Sequence, residues 1–283
     1  MEIVLGKTAG FCYGVRNAVM NTEEKLEQYC QVSCLGELVH NGQVIKKLEN
    51  LGLKVVERIE DASNKVIIRA HGIAKEVYDK AQKLNIEIFD YTCPSVLKIH
   101  KMADEYAKNG YFIFFIGEKN HPETIGTISF CGKNSYLLEY EEDIEKAIKK
   151  LEESNIKKLF IIVQTTFSLE KFETFIEEIK HKIDSDVELE IKNTICNATK
   201  IRQEETCDIS KKVECMIIIG GKNSSNTKKL YDIAKENCQN TYIVETKEEL
   251  NIDEVKKFEK VGIMAGASTP GESINEVIEA IEA

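Results

Sequence analysis

The stretch Cys215–Asn226 reads CMIIIGGKNSSN: a continuous apolar run, then glycines, then small polar residues. Similar short apolar runs recur along the chain, with amphipathic segments such as SVLKIHKMADEYAKN (95–109) between most of them. Eleven runs predict strands: EIVLG, QVSCLG, LKVVE, KVIIRA, IEIFDY, YFIFFIG, KLFIIVQ, VELEIKN, CMIIIGG, TYIVE and VGIMAG. Near-continuous apolar strands separated by helices are typical of parallel sheets covered on both faces. The sequence therefore predicts an α/β fold.

Composition narrows the class of protein. The chain has 283 residues, of which 42% are hydrophobic and 30% charged, as is ordinary for a globular protein. Its longest apolar run, Tyr111–Ile116, is too short to span a bilayer, and MEIVLGKTAG lacks the features of a signal peptide. Nine cysteines, an odd number, favour reduced thiols in the cytoplasm over a disulfide framework. The net charge of −10 argues against a general nucleic-acid surface.

An internal repeat links three cysteines at turns that precede helices: Cys12, Cys93 and Cys196. Glycine follows each of them 24 residues later, and a polar residue follows 28 residues later: His40, His121 and Ser224. Counting 72 residues from the second and third cysteines reaches Thr165 and Ser268; in a shorter first copy the corresponding residue is His71. We therefore predict three related α/β lobes, 1–92, 93–192 and 193–283, in a pseudo-threefold arrangement that brings the three cysteines together.

Three converging cysteines suit a particular cofactor. No C-x-x-C pair occurs, which removes zinc ribbons and thioredoxin-like dithiols. Thiolates are ligands for zinc or iron–sulfur clusters, but a structural zinc normally takes four protein ligands. A 4Fe–4S cluster on three cysteines leaves one iron free to bind substrate. The other six cysteines fall outside the repeat and are expected to be packing or surface residues.

The strand-end polar residues each allow a functional and a structural interpretation. His40, His71 and His121 lie at strand ends, unlike His100 and His181, for which we expect structural roles. GGKNSSN and AGAST are either anion-binding turns, suited to a diphosphate, or ordinary helix caps. Glu123 is either a proton donor with a raised pKa or a glutamate favoured by a helix dipole. Thr165 either orients a hydroxyl group or begins a helix.

Taken together, the motifs resemble the 4-hydroxy-3-methylbut-2-enyl diphosphate reductase family of isoprenoid biosynthesis. The similarity runs essentially end to end, in the order GFCYGV, ELVHN, AHG, FDYTCPSVLKIH, HPE, QTTFS, NTICNAT, RQEE, GGKNSSN and AGAST. The resemblance implies three α/β lobes around a central 4Fe–4S cluster. It also implies the reductive removal of an allylic hydroxyl as water, giving isopentenyl and dimethylallyl diphosphate.

The resemblance assigns roles to residues of this chain. It implies that Cys12, Cys93 and Cys196 are the cluster ligands. It implies that the diphosphate is bound by His40, His71, Ser224, Ser225, Asn226 and Ser268. His121, Glu123 and Thr165 match the residues around the substrate hydroxyl, with Glu123 as the proton source.

Two rival interpretations stay open at this point. An iron–sulfur hydro-lyase would remove water without net reduction and so needs no electron donor. A non-catalytic cluster sensor or electron carrier has no need of the histidines and the KNSSN group. For a reductase we expect electrons from a separate ferredoxin or flavodoxin, because no flavin or nicotinamide motif is visible in the sequence.

Overall fold

The computed structural model describes residues 1–283 as alternating strands and helices. The strands are β1 (Glu2–Leu5), β2 (Val32–Leu35), β3 (Leu53–Val56), β4 (Lys65–Ile68), β5 (Glu87–Asp90), β6 (Phe112–Ile116), β7 (Ser135–Leu138), β8 (Lys158–Val163), β9 (Glu188–Ile191), β10 (Cys215–Ile219), β11 (Asn240–Val244) and β12 (Lys260–Ala265). The α-helices are α1 (Tyr13–Gln28), α2 (Gly42–Asn50), α3 (Lys75–Lys83), α4 (Pro94–Lys108), α5 (Pro122–Ile128), α6 (Asp143–Glu153), α7 (Leu169–Lys182), α8 (Asn197–Ser210), α9 (Ser225–Asn237), α10 (Ile252–Val255) and α11 (Gly271–Glu282). None of these helices combines the length and apolar character needed to cross a bilayer.

The strands form three four-stranded sheets in which every pairing is parallel. The strand orders are β3-β2-β4-β5, β7-β6-β8-β9 and β11-β10-β12-β1. Each sheet thus takes three strands from one copy of the repeat, and its fourth, edge strand is the one that precedes a repeated cysteine. The three like sheets confirm the predicted α/β class and the threefold repeat of the sequence.

The chain divides into two compact units. The first unit comprises Met1–Glu23, Val39–Leu51 and Asn197–Ala283, and it holds the sheet β11-β10-β12-β1. The second unit comprises Glu24–Leu38 and Gly52–Cys196, and it holds the other two sheets.

Apolar residues on both faces explain why the strands are buried. Along β6, Phe114 packs in one hydrophobic cluster with residues of α6 and α7, while its neighbour Phe115 packs in another with residues of α4. On β10, Ile217 and Ile218 face opposite clusters in the same way. Adjacent side chains of a strand point to opposite faces, so a continuous apolar run requires helices on both sides.

The predicted strand EIVLG is confirmed as β1, but its partner, and one further strand, were not foreseen from the sequence. The first strand, Glu2–Leu5, falls in the predicted lobe 1–92, but it pairs with β12 of the third sheet. Sequence proximity does not decide which edge a short strand joins, because the pairing depends on contacts hundreds of residues away. The strand that the sequence prediction missed is β7, which is absent from the eleven predicted strands. It is a partly exposed edge strand with only one partner, β6, and its apolar run is only Tyr136–Leu138.

Candidate active site

Each repeated cysteine lies in a turn that joins an edge strand to a helix. Cys12 lies between β1 and α1, Cys93 between β5 and α4, and Cys196 between β9 and α8. In every turn the cysteine N–H donates to a backbone carbonyl just beyond the neighbouring strand. These bonds run from Cys12 to Ala267 (3.1 Å), from Cys93 to Ala70 (2.9 Å) and from Cys196 to Thr165 (2.9 Å). The three turns are therefore built alike.

The repeated thiols differ from most other thiols of the chain in their exposure. Cys12, Cys93 and Cys196 are partly exposed. By contrast, burial raises the pKa of three thiols outside the repeat to about 12, which keeps them protonated: Cys34, Cys131 and Cys215. Such thiols act as small apolar side chains rather than as ligands. Cys238 is also buried; Cys207 is partly exposed like the repeated cysteines, and Cys30 is exposed.

Two of the repeated cysteines belong to the second unit. There the Cys196 sulfur lies 3.9 Å from the hydroxyl of Ser95, in the first turn of α4, the helix that Cys93 precedes directly. The turns of Cys93 and Cys196 therefore adjoin. Partly exposed thiols at adjoining turns fit the donor chemistry of an iron–sulfur cluster, which is held by cysteine thiolates.

A buried carboxyl group is paired with a threonine in the same unit. Glu123 lies in the first turn of α5 and is 1% exposed. Its Oε1 accepts a hydrogen bond from the Thr165 N–H (2.7 Å), and its Oε2 lies 2.5 Å from the Thr165 hydroxyl. Burial raises the pKa of Glu123 to about 7, against a smaller opposing effect of the bonds from Thr165. This carboxyl can therefore carry a proton near neutral pH and donate it.

Two predicted histidines lie next to this pair. The rings of His71 and His121 meet edge to face with their centroids 5.4 Å apart. His121 caps α5, and its Nδ1 accepts the Glu123 N–H at 3.2 Å. An Nδ1 that accepts leaves the proton of the neutral ring on Nε2, so His121 presents a donor on its other side.

Gln164 is a residue of this site that the sequence did not single out. It is fully buried, and its Oε1 accepts the Glu118 N–H at 2.8 Å. Its Nε2 donates to the Thr166 hydroxyl at 2.8 Å. Gln164 thereby joins the QTT turn to the segment before α5. The available signal was an amide directly after a buried strand, a position where its hydrogen bonds must be made within the protein.

A candidate anion site lies in the first unit, at the start of α9. Ser224 caps this helix, and its hydroxyl oxygen accepts the Thr227 N–H at 3.3 Å. Its predicted role in diphosphate binding stays a prediction. Ser225 and Asn226 follow in the first turn, and both are buried. The Nδ2 of Asn226 is buried without a hydrogen-bond partner. An unpaired donor at a helix N-terminus fits an anionic ligand.

Two further predicted diphosphate residues lie together in this unit. The Ser268 hydroxyl donates to the backbone carbonyl of His40 at 3.1 Å. Gly221 approaches the same carbonyl so closely that a Cβ there would lie 2.5 Å from its oxygen. The structure thus brings the turns ELVHN, GGKNSSN and AGAST together.

The strand register corrects one residue equivalence. Val163 pairs with β6 as Ala265 pairs with β10 and as Ile68 pairs with β2. Counting forward from these three residues, Ser268 and His71 both correspond to Thr166 rather than to Thr165. Counting from the cysteines missed this because the second copy has one more residue in that interval than the third.

The two remaining histidines are not part of the site. His100 is buried, stacks on Phe130 with ring centroids 4.4 Å apart, and has its pKa lowered to about 4 by burial. Its ring fills the space that Gly72 and Gly126 leave open, which is a packing role. His181 is exposed in the last turn of α7. Both outcomes agree with the structural roles expected for these residues.

Known proteins resemble this chain over its whole length. A family model described as LytB protein matches residues 3–282. The 4-hydroxy-3-methylbut-2-enyl diphosphate reductase of Caldanaerobacter subterraneus subsp. tengcongensis is 41% identical over 288 residues, covering 100% of this chain and 97% of that protein. The enzyme of the same name from Clostridioides difficile is 39% identical, covering 100% and 99%.

Two solved structures are similar in fold. The structure of (E)-4-hydroxy-3-methyl-but-2-enyl diphosphate reductase, described as the terminal enzyme of the non-mevalonate pathway, aligns with a TM-score of 0.72 and 39% identity. It covers 100% of this chain and 99% of that one. The reductase from Plasmodium falciparum aligns with a TM-score of 0.90 and 30% identity, covering 99% and 88%.

Proposed function

The chain belongs to the LytB protein family, and from this membership we propose that it is a 4-hydroxy-3-methylbut-2-enyl diphosphate reductase. The reaction breaks the bond between carbon and the allylic hydroxyl oxygen. Two electrons and two protons enter, the oxygen leaves as water, and isopentenyl and dimethylallyl diphosphate are formed. The observation that carries the proposal is the buried pair of Glu123 and Thr165, with His121 bonded to the Glu123 N–H and the Cys196 N–H bonded to the Thr165 carbonyl.

Cys12, Cys93 and Cys196 would hold a 4Fe–4S cluster, consistent with their like turns and partial exposure. Such a cluster supplies electrons one at a time and an iron that no residue of this chain ligates. The protein's own contribution is to bind the diphosphate, orient the hydroxymethyl group and supply a proton.

The proton path follows from the contacts of Glu123. A proton on Oε2 of the neutral carboxyl lies within hydrogen-bond distance of the Thr165 hydroxyl oxygen. Thr165 can therefore receive this proton and pass its own to the leaving hydroxyl group of the substrate. The Thr165 N–H holds the other oxygen, Oε1, and so fixes the direction of the carboxyl. His121, with its proton on Nε2, supports the proposal as a donor that orients the substrate.

The diphosphate would be bound by hydroxyl, amide and imidazole groups. Ser225 and Asn226 open α9, where the helix dipole favours negative charge. Ser224, Ser268, His40 and His71 complete the proposed set. Binding energy from the diphosphate then serves to orient the far end of the substrate.

The proposed function is tested by anaerobic conversion of the diphosphate substrate with reduced methyl viologen as electron donor. We expect both products to form with the viologen and neither without it. Turnover without any donor would instead indicate the hydro-lyase. A loaded cluster with no turnover under either condition would favour the sensor or carrier.

The physiological donor and cellular location are further parts of the proposal. We expect a ferredoxin or flavodoxin to supply electrons, and no activity with any reduced carrier would contradict this. Location in the cytoplasm stays a prediction.

The pH dependence of turnover is expected to follow Glu123. Because a general acid must be protonated, kcat/KM should fall as pH rises through about 7, the raised pKa of Glu123 in the free protein. The same shift has a stability consequence. The folded protein binds this proton more tightly than the unfolded chain, in which the carboxyl has a pKa of 4.5. The free energy of unfolding should therefore decrease as the pH rises from 4.5 to about 7. Glu123→Gln should remove this decrease, as measured by denaturant unfolding at several pH values.

Replacing Asn226 by alanine should weaken substrate binding without destabilising the fold. Its buried Nδ2 has no partner, so its removal relieves an unsatisfied donor in the free protein. We expect KM for the diphosphate to rise by about 10- to 100-fold, from the loss of one hydrogen bond to a charged group. If Asn226→Ala had the same KM as the wild type and the same affinity for inorganic diphosphate, Asn226 would be excluded from the diphosphate-binding residues.

A further inference from the structure

The loop that carries Cys12 is held by a helix far away in the sequence. Residues 6–11 connect β1 to Cys12, and this is the longest of the three connections between an edge strand and its cysteine. Glu205, in the middle of α8, accepts the N–H groups of Lys7 (2.7 Å) and Thr8 (3.0 Å), and also the Thr8 hydroxyl (2.5 Å). These contacts all lie within the first unit.

A second residue of the same helix holds the other side of the loop. Arg202 is 5% exposed, and its Nη2 donates to the Gly10 carbonyl at 2.7 Å. Its Nη1 donates to the carbonyl of Ala198 at 3.1 Å, which fixes the guanidinium on α8. Gly10 has a φ of 95°, a backbone conformation that favours glycine.

The other two cysteine turns use residues of their own. In the Cys93 turn, Asp90 accepts the N–H and the hydroxyl of Thr92. In the Cys196 turn, Asn193 accepts the Ile195 N–H. The loop 6–11, GKTAGF, contains no aspartate or asparagine that could do the same. Here Arg202 and Glu205 of α8 make the hydrogen bonds to the loop backbone instead.

We propose that Arg202 and Glu205 are positioning residues that hold the loop 6–11 so that Cys12 is fixed in place as a cluster ligand. This inference rests on the proposed function, since it takes Cys12 to be a ligand. It assigns a role to the RQEE motif, which neither the proton path nor the diphosphate site uses. Hydrogen bonds to charged groups are stronger than neutral ones, and here two ionic groups bind backbone atoms on both sides of one loop. The bonds from Thr8 and Lys7 hold the pKa of Glu205 below its usual value against the opposing effect of burial, so the group stays ionised.

The test measures how fast iron leaves the full-length, cluster-loaded protein in the presence of a chelator. Glu205→Gln removes the negative charge and one acceptor oxygen, and we expect iron release about tenfold faster than in the wild type. Thr8→Val removes only the hydroxyl bond and keeps α8 intact, and we expect a smaller acceleration in the same direction. Glu204→Gln is the matched control, because Glu204 is exposed on the same helix and pairs only with Lys200 at 3.9 Å.

A second readout does not depend on the cluster. Amide hydrogen exchange at Lys7 and Thr8 in the iron-free full chain should be faster in Glu205→Gln than in Glu204→Gln. Arg202→Lys, which cannot make both guanidinium bonds, should also accelerate iron release. Iron release and amide hydrogen exchange at wild-type rates in Glu205→Gln, Thr8→Val and Arg202→Lys would overturn the positioning role. The proposed reductase function would not be affected by that result. A wild type that binds no iron would instead overturn the proposed function.

Discussion

Cys93→Ser is expected to abolish turnover and to remove most of the bound iron. A serine hydroxyl is a harder ligand than a thiol and does not ionise at neutral pH, so the cluster loses one of its protein ligands. The iron content should fall from about four atoms per chain to less than about one, and the visible absorbance of the cluster should fall with it. Because Cys93 is partly exposed and its backbone N–H bond to Ala70 does not involve the sulfur, the fold should persist.

The matched control for this variant is Cys30→Ser. Cys30 is an exposed cysteine outside the repeat, so the same chemical change there should leave iron, absorbance and turnover at wild-type values. Equal iron in Cys93→Ser and Cys30→Ser would show that Cys93 is not a ligand.

Glu123→Gln is expected to lower kcat by about 100- to 10,000-fold, the usual contribution of a positioned general acid. Glutamine has nearly the shape of glutamic acid, and its amide can still accept the Thr165 N–H and donate to the Thr165 hydroxyl. Iron content and diphosphate affinity should therefore stay at their wild-type values. The loss should be confined to the step that needs the proton, which single-turnover measurements under anaerobic conditions would isolate.

Glu142→Gln provides the control for Glu123→Gln. Glu142 is exposed before α6 and makes no side-chain capping bond, so its replacement should not change kcat. If Glu123→Gln turned over as fast as Glu142→Gln, the proton would have to come from another donor.

The sequence predicted the local elements of the fold well because both the strands and the turns are determined by neighbouring residues. A continuous apolar run such as that of β10 can be satisfied only in a strand covered on both faces. The repeat around Cys12, Cys93 and Cys196 predicted like turns, and each cysteine N–H does bind the neighbouring strand end.

Contacts between residues far apart in the chain could not be predicted from the sequence. The edge joined by Glu2–Leu5 depends on β12, at the other end of the chain. Gln164 gains its importance only when the QTT turn and the start of α5 lie side by side. The same holds for Glu205, whose partners Lys7 and Thr8 are nearly two hundred residues away. No local periodicity records such contacts.

The raised pKa of Glu123 also came from tertiary structure. The motif HPE suggested a carboxyl near the site, but a glutamate in a first helical turn is usually favoured as an anion by the helix dipole. Here burial raises the pKa of Glu123 to about 7 and outweighs the bonds from Thr165. The raised pKa that the proposed acid role needs could therefore be inferred only once the burial of this side chain was known.

The most direct test of the account is the amount of iron and acid-labile sulfide per chain in the wild-type protein purified and reconstituted without oxygen. A three-cysteine cluster predicts about four of each per chain. Protein that binds neither, although it was protected from oxygen and offered both, would contradict the account, because the three repeated cysteines would then be structural residues.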